Sequence, residues 1–292
     1  MIDFLQPADW SEALAMKAAH PEAMPIAGGT DVMVEINLDR HRPASIIDLT
    51  RVPELAEWGT DDGLLRIGAG VTYARIINEL GARLPGLAMA SRTVGSPQIR
   101  NRGTVGGNLG TASPAGDAHP SLLASDALVE LASSSGMRRV PAREFFTGPK
   151  RSTKREDELI AAFLIEPAGG PQQFSKVGTR NAMVIAVCSF AIAFDVARRR
   201  VGTGIGSAAP TPIRATDAET FIEGVLDEGH LWERRAEAPA SAVTHFGELV
   251  AAASRPIDDV RGTAAYRRHA LSVLARRCLT WAWDDYRRMG SA

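Results

Sequence analysis

The chain has 292 residues, 45% of them hydrophobic and 23% charged, with 33 Lys+Arg against 34 Asp+Glu. At roughly 100–200 residues per domain, this length allows two domains or three small ones, and the composition argues against long disorder. A formal net charge of −1 offers no basic field to nucleic acid, and two cysteines, Cys188 and Cys278, stand 90 positions apart with no CxxC. An iron–sulfur cluster or structural zinc takes about four closely paired ligands, so electron chemistry here would need a bound organic cofactor.

The start, MIDFLQPADW, has neither a basic stretch nor an apolar run, so no secretory signal is expected. Asp9-Trp10-Ser11-Glu12 is a capping-box variant that opens a helix through Ala19. A strand at Met24–Ala27 is broken by Gly28-Gly29, Thr30 caps a helix Asp31–Leu38, and Ser45–Leu49 is a second strand. Strands joined through a helix are most simply parallel.

From Trp58 the texture changes. A strand at Leu64–Gly68 precedes a helix at Thr72–Leu80 and another at Leu84–Val94, with Pro85 tolerated in its first turn. Gly103–Gly116, with five glycines in 14 positions, reads as an ordered loop. Strands follow at Ala127–Leu131, Arg138–Val140 and Leu159–Ile165, with charged Arg151–Glu158 as a solvated loop.

A third texture starts near Pro171, with antiparallel strands at Phe174–Lys176, Met183–Phe194 and Val201–Gly206. The longest apolar stretch, Ala182–Phe194, is 13 residues interrupted by Ser189. A membrane span needs roughly 18–20, so it reads as a buried core segment. Over Thr263–Arg288, Tyr266, Ala270, Leu274, Cys278 and Trp281 recur at helical spacing, with arginines between them as a solvated face. Two unpaired cysteines fit a reducing cytoplasm.

Three glycine clusters bear on function. Gly202-Thr203-Gly204-Ile205-Gly206 lacks the following helix of a dinucleotide fingerprint and reads as a strand end. Ala27-Gly28-Gly29-Thr30-Asp31 joins a strand to a helix, where glycines let backbone N–H groups approach a phosphate. Asp31, an acid beside an anion site, suits capping or bonding a hydroxyl. Arg102 to Asp117 mixes glycines, hydroxyls and an amide, with Val105 and Leu109 as apolar anchors. It offers backbone donors and small hydroxyls to a diphosphate, and a structural connection capping a helix near Asp117 is the competing reading. Ser113 has no nucleophile elbow around it, and nothing marks His119 as its base.

Together these two motifs resemble the FAD-binding medium subunit of the molybdenum hydroxylases, the family of bacterial xanthine dehydrogenases and aerobic carbon monoxide dehydrogenases. The resemblance continues through Thr111–Asp117, Phe145–Gly148, Lys176–Arg180, Gly204–Ala215, Pro256–Gly262 and Tyr266–Arg268, essentially the whole chain. It implies an α+β architecture: a vanillyl-alcohol-oxidase-like (PCMH-type) FAD-binding fold in two subdomains, residues 1–56 and 57–168. A C-terminal antiparallel sheet and helix domain, residues 169–292, would cover the flavin ring end. By the same resemblance, Ala27, Gly28, Gly29, Thr30, Asp31 and Val32 with Thr104, Val105, Gly106, Gly107 and Asn108 would hold the pyrophosphate. Thr111, Ser113 and Asp117 would reach phosphate, ribose or adenine, and the Ile160 backbone and Lys176 would lie near the ring.

The Gly28-Gly29 turn carries no His or Cys, so FAD is expected to be noncovalent, and no catalytic residue is implied in this chain. The implied partners are a small [2Fe–2S] subunit and a large molybdopterin subunit, assembled as a dimer of heterotrimers in the cytoplasm. The acceptor would be NAD⁺, O₂ or a quinone, and the substrate of the complex xanthine, a related N-heterocycle or an aldehyde. Two rival readings remain: a self-sufficient flavin oxidoreductase on the same fold, and a non-catalytic assembly or ligand-binding subunit that has lost FAD.

Overall fold

The Asp9 carboxylate accepts the Glu12 N–H at 2.8 Å and the Glu12 carboxylate accepts the Ala8 N–H, so the helix Trp10–Ala19 starts where the capping pattern places it. In the computed structural model, which describes residues 2–289, this helix lies beside a parallel sheet ordered Asp3–Leu5, Ser45–Asp48, Met24–Ile26. The edge strand Asp3–Leu5 is too short to show an alternation and is recognisable only by its pairing. The following helix is Val32–Asn37. Thr30 does not cap it: Asp31 holds the N-cap position without a side-chain cap bond, because its carboxylate is engaged elsewhere.

Residues 58–165 form an antiparallel sheet ordered Trp58–Asp61, Leu64–Gly68, Leu159–Ile165, Leu128–Ser133, Gly136–Pro141. Its central strand, Leu159–Ile165, is buried at every position and so reads as a continuous apolar run. The helices Tyr73–Glu79, Pro85–Arg92, Pro97–Arg102, Val105–Thr111 and Ala118–Ala124 lie between its second and third strands in sequence. One core, from Ala13 to Ile165, joins this unit to the parallel sheet.

The third sheet is a meander of Gln172–Val177, Cys188–Asp195 and Arg200–Gly206. Its middle strand is covered on both faces: Cys188, Phe190, Ile192 and Phe194 pack with the C-terminal helices, while Ala191 and Ala193 pack with Ala90 and Ala124. Those helices are Thr216–Glu228, Ala240–Ala253 and Ala264–Arg288, the last capped by Thr263.

Four further sequence expectations change. The glycine-rich segment contains a helix, Val105–Thr111, because Thr104 Oγ1 accepts the Gly107 N–H at 2.8 Å and Val105 and Leu109 are fully buried one turn apart. That burial overrides the cost of helical glycine, about 1 kcal/mol each. Arg151–Glu158 is not wholly solvated, since Glu158 is buried in a bidentate pair with Arg138 at 2.6 and 2.9 Å. The apolar stretch is buried only from Ala186 onward, with Met183 and Ile185 more than half exposed. On the long helix, Tyr266 and Trp281 face outward and Trp283 and Tyr286 face inward. Arg267 there is also buried, its guanidinium bonded to Ser207 O and Asp259. Among the described residues, no helix is long and apolar enough to cross a membrane, and no group of three His, Cys, Asp or Glu could hold a metal.

Candidate functional site

The two glycine motifs touch. A Cβ on Gly28 would lie 2.1 Å from Arg102 O and 2.9 Å from Gly103 N, so only glycine lets the first turn rest on the start of the second. Gly29 follows with φ +74°, the left-handed conformation that releases the chain into the helix Val32–Asn37. Thr72 bridges Thr104, and the Tyr73 N–H donates to Gly103 O at 3.0 Å. Across the gap the Thr111 hydroxyl donates to Asp31 Oδ2 at 2.8 Å, and Lys150 adds a 2.6 Å pair with Glu35. Asp31 thus bonds a hydroxyl of the chain itself.

Glycines divide by role along Val105–Thr111. A Cβ on Gly106 would fall 2.4 Å from Ala69 O, so Gly106 is a packing residue. Gly107 and Gly110 are exposed: a Cβ would meet only Thr104 Oγ1 at 3.1 Å and Ile160 Cδ1 at 3.8 Å, respectively. They leave a side-chain-free strip between the first turn and Ile160. Val105 and Gly106 are buried, so only their backbone can serve a ligand.

Asn108 turns inward, with Oδ1 accepting the Ala118 N–H at 3.4 Å and its carbonyl 3.2 Å from His119 Nε2. Ser113 Oγ accepts the Ala115 N–H at 3.3 Å. Asp117 Oδ2 pairs with Lys176 Nζ at 2.7 Å, and the same ammonium donates to Thr93 O at 3.2 Å. Both side chains are nearly buried, at 11% and 7% exposure. Burial raises the Asp117 carboxyl above its usual range while the Lys176 charge opposes that rise. Among the described residues, buried Tyr73 Oη, Asp117 Oδ1 and His119 Nδ1 have no hydrogen-bond partner.

The structure therefore gathers Ala27–Val32 with Thr104–Thr111 and Ile160, and joins Asp117 directly to Lys176. Tyr73 and Thr93 were missed from sequence. The helix expected at Thr72–Leu80 contains Tyr73, but nothing linear relates positions 73 and 93 to position 117.

Residues 1–167 match the family model described as the FAD binding domain in molybdopterin dehydrogenase, and residues 173–282 match the CO dehydrogenase flavoprotein C-terminal domain. The chain is 30% identical over 297 residues to the xanthine dehydrogenase FAD-binding subunit of Escherichia coli O157:H7, covering 97% of each. It is 31% identical over 290 residues to the nicotine 6-hydroxylase medium subunit of Paenarthrobacter nicotinovorans, covering 96% of this chain and 97% of that one. Among solved structures it is similar to a chain of reconstituted CO dehydrogenase from Oligotropha carboxidovorans, with a TM-score of 0.88, 25% identity and 98% of each chain covered.

Proposed function

The chain belongs to the FAD-binding medium subunits of the molybdenum hydroxylase family, and from that premise we propose that it is the electron-relay subunit of a heteromeric complex. Electrons would come from [2Fe–2S] clusters of a small partner, fed by oxidation of substrate at a large molybdopterin subunit, and leave for NAD⁺, O₂ or another acceptor. A dimer of such heterotrimers is the assembly this reading favours. The substrate of the complex is xanthine, a related N-heterocycle or an aldehyde. Near-full-length similarity to xanthine dehydrogenase and nicotine hydroxylase subunits supports the N-heterocycle class.

The observation that carries the cofactor reading is the open glycine strip against the Gly28–Arg102 contact. These residues fit a dinucleotide: Gly107 and Gly110 leave its space free, and the first-turn N–H groups of Val105 and Gly106 have no helical carbonyl to bond. FAD, when bound, changes by one or two electrons, which suits a post between one-electron clusters and a two-electron acceptor.

In this reading Ala27–Val32 and Thr104–Asn108 hold the pyrophosphate, and Thr111, Ser113 and Asp117 the phosphate, ribose or adenine region. Ile160 and Lys176 stand toward the ring. Lys176 stands at the seam between the middle and third sheets, its Nζ held by Asp117 and Thr93 O. The three regions 1–56, 57–168 and 169–292 would act as two cofactor-holding subdomains and a cover.

Purification of the chain under native conditions from its source tests the reading. A flavin-containing complex with a small iron–sulfur chain and a large molybdopterin chain is the expected outcome. A flavin-containing chain that arrives alone and oxidises an organic substrate unaided would overturn it.

A further inference from the structure

Two loops meet at Gly262. The first, 178–186, leaves the strand that carries Lys176 and is closed by the Val187 N–H donating to Val177 O at 2.8 Å. The second, 255–262, precedes the helix Ala264–Arg288 and is tied back by the Arg255 N–H donating to Ala208 O at 2.8 Å. A side chain on Gly262 would start 3.2 Å from Val187 Cγ1 and 3.7 Å from Tyr266 Cδ1. Arg267, buried below this junction, donates to Ser207 O at 2.6 Å and to Asp259 Oδ1 at 2.5 Å. Ser207 Oγ in turn donates to Ala186 O at 2.7 Å, and Asp259 also accepts the Arg261 N–H at 2.8 Å. A buried guanidinium is costly to place, and here it holds both loops to one turn.

Held in this way, the loops present apolar side chains to water. Met183, Ile185, Ile257, Val260 and Tyr266 are each at least half exposed, Val260 wholly so, and each lies within five residues of the junction along the chain. Together they offer on the order of 500 Å² of exposed surface, against roughly 800 Å² that one partner gives to a stable interface. Exposed Arg180, Arg255 and Arg268 in and beside the loops form no ion pair among the described residues, and Asp258 is the only exposed acid in either loop. Apolar side chains on loops already fixed lose less freedom on docking.

We propose that this junction is the docking surface for the iron–sulfur chain of the complex, which presents to it an apolar face edged with carboxylates. This rests on the electron-relay reading above. Three features select that occupant. Unpaired arginines around an apolar centre call for carboxylates around an apolar centre, whereas a second copy of this chain would set arginines against arginines. The first loop begins two residues after Lys176, which that reading sets toward the ring, so a chain seated here stands beside the point where electrons enter. NAD⁺ or another small acceptor takes a concave site, which outward-pointing side chains on two loops do not make.

The test purifies the complex from its source for wild type, for Ile257→Ser with Val260→Ser, and for Arg255→Glu. Dissociation of each complex on dilution is followed by sedimentation, and each chain expressed alone is melted. Both variants should release the small iron–sulfur chain with a Kd raised about tenfold or more. Arg255→Glu should also show a weaker salt dependence than wild type. Alone, the variants should melt as wild type does, because the replaced side chains are exposed. If the double variant melts lower, Arg255→Glu decides alone. Unchanged release of the small chain overturns the proposal, and so does release of the large chain with the small one retained, which gives the surface to the molybdopterin chain. A dimer of the wild-type chain alone that the variants dissolve overturns it in favour of a second copy. A wild-type preparation without any iron–sulfur chain would instead refute the electron-relay reading itself.

Discussion

His119 lies wholly buried on the helix Ala118–Ala124, its ring 4.6 Å from that of Phe146 and its Nε2 against Asn108 O. Burial lowers its pKa from 6.5 to about 4, so the folded chain holds it neutral where the unfolded chain protonates it. The stability this neutral ring permits is full above pH 6.5 and falls as the pH drops toward 4. The loss amounts to about 2–3 kcal/mol. In urea unfolding from about pH 7 to about pH 4.5, His119→Gln should lose less stability than wild type. Parallel losses would contradict this account. The same burial removes His119 as a base for Ser113, a role that spacing alone leaves open. Burial of one ring nitrogen, like the joining of Asp117 to Lys176 across 59 positions, depends on elements that approach only after the chain folds.

The Val105–Thr111 helix shows how one element uses identical residues for opposite ends. Gly106 meets Ala69 backbone and Gly107 meets almost nothing. Gly106→Ala should therefore cost about 1–3 kcal/mol by overpacking. Gly107→Val should keep the free energy of unfolding in urea within about 1 kcal/mol of wild type and yet yield a chain depleted of flavin. Denaturant titration and flavin absorbance check both; normal flavin content in Gly107→Val would remove the phosphate role from this strip. The motif was legible as a ligand element from its glycines and hydroxyls. Its helical state was not, because glycine-rich composition points away from helix and only burial of Val105 and Leu109 decides otherwise. Of the two caps expected, Asp9 accepts the Glu12 N–H as its position predicts, while Thr30 gives way to Asp31 at the N-cap. A cap is a bond between neighbours three residues apart and owes little to the rest of the fold.

At the scale of the molecule, the third sheet sits on the middle unit through two missing side chains. A Cβ on Gly202 or Gly204 would lie 2.0 Å from Ala124 O or Pro120 O. Around that contact Gln172 accepts the Gly86 N–H at 3.0 Å, Arg214 bridges Asp126 and Glu219, and the Ser207 N–H donates to Pro114 O at 2.8 Å. The Asp117–Lys176 pair crosses the same seam, joining the segment after the second glycine motif to the third sheet. Gly204→Ala should cost about 3 kcal/mol or more and expose the segment after Ile165 to limited proteolysis. It should also lower flavin content, because the seam positions Lys176. A variant with wild-type melting and protease resistance would show that the contact is less close than described.

Sequence by itself determined what depends on residue type and short spacing. It argued against clusters and membrane spans, marked most strands and the Asp9 cap, singled out both glycine motifs, and through them the family. Tertiary structure alone decided which glycines pack and which leave room, which arginines are buried, and that Asp117 meets Lys176. The reason is physical: local bonds and apolar periodicity are written in neighbouring residues. Close approach and burial are set by distant segments, whose meeting no spacing encodes.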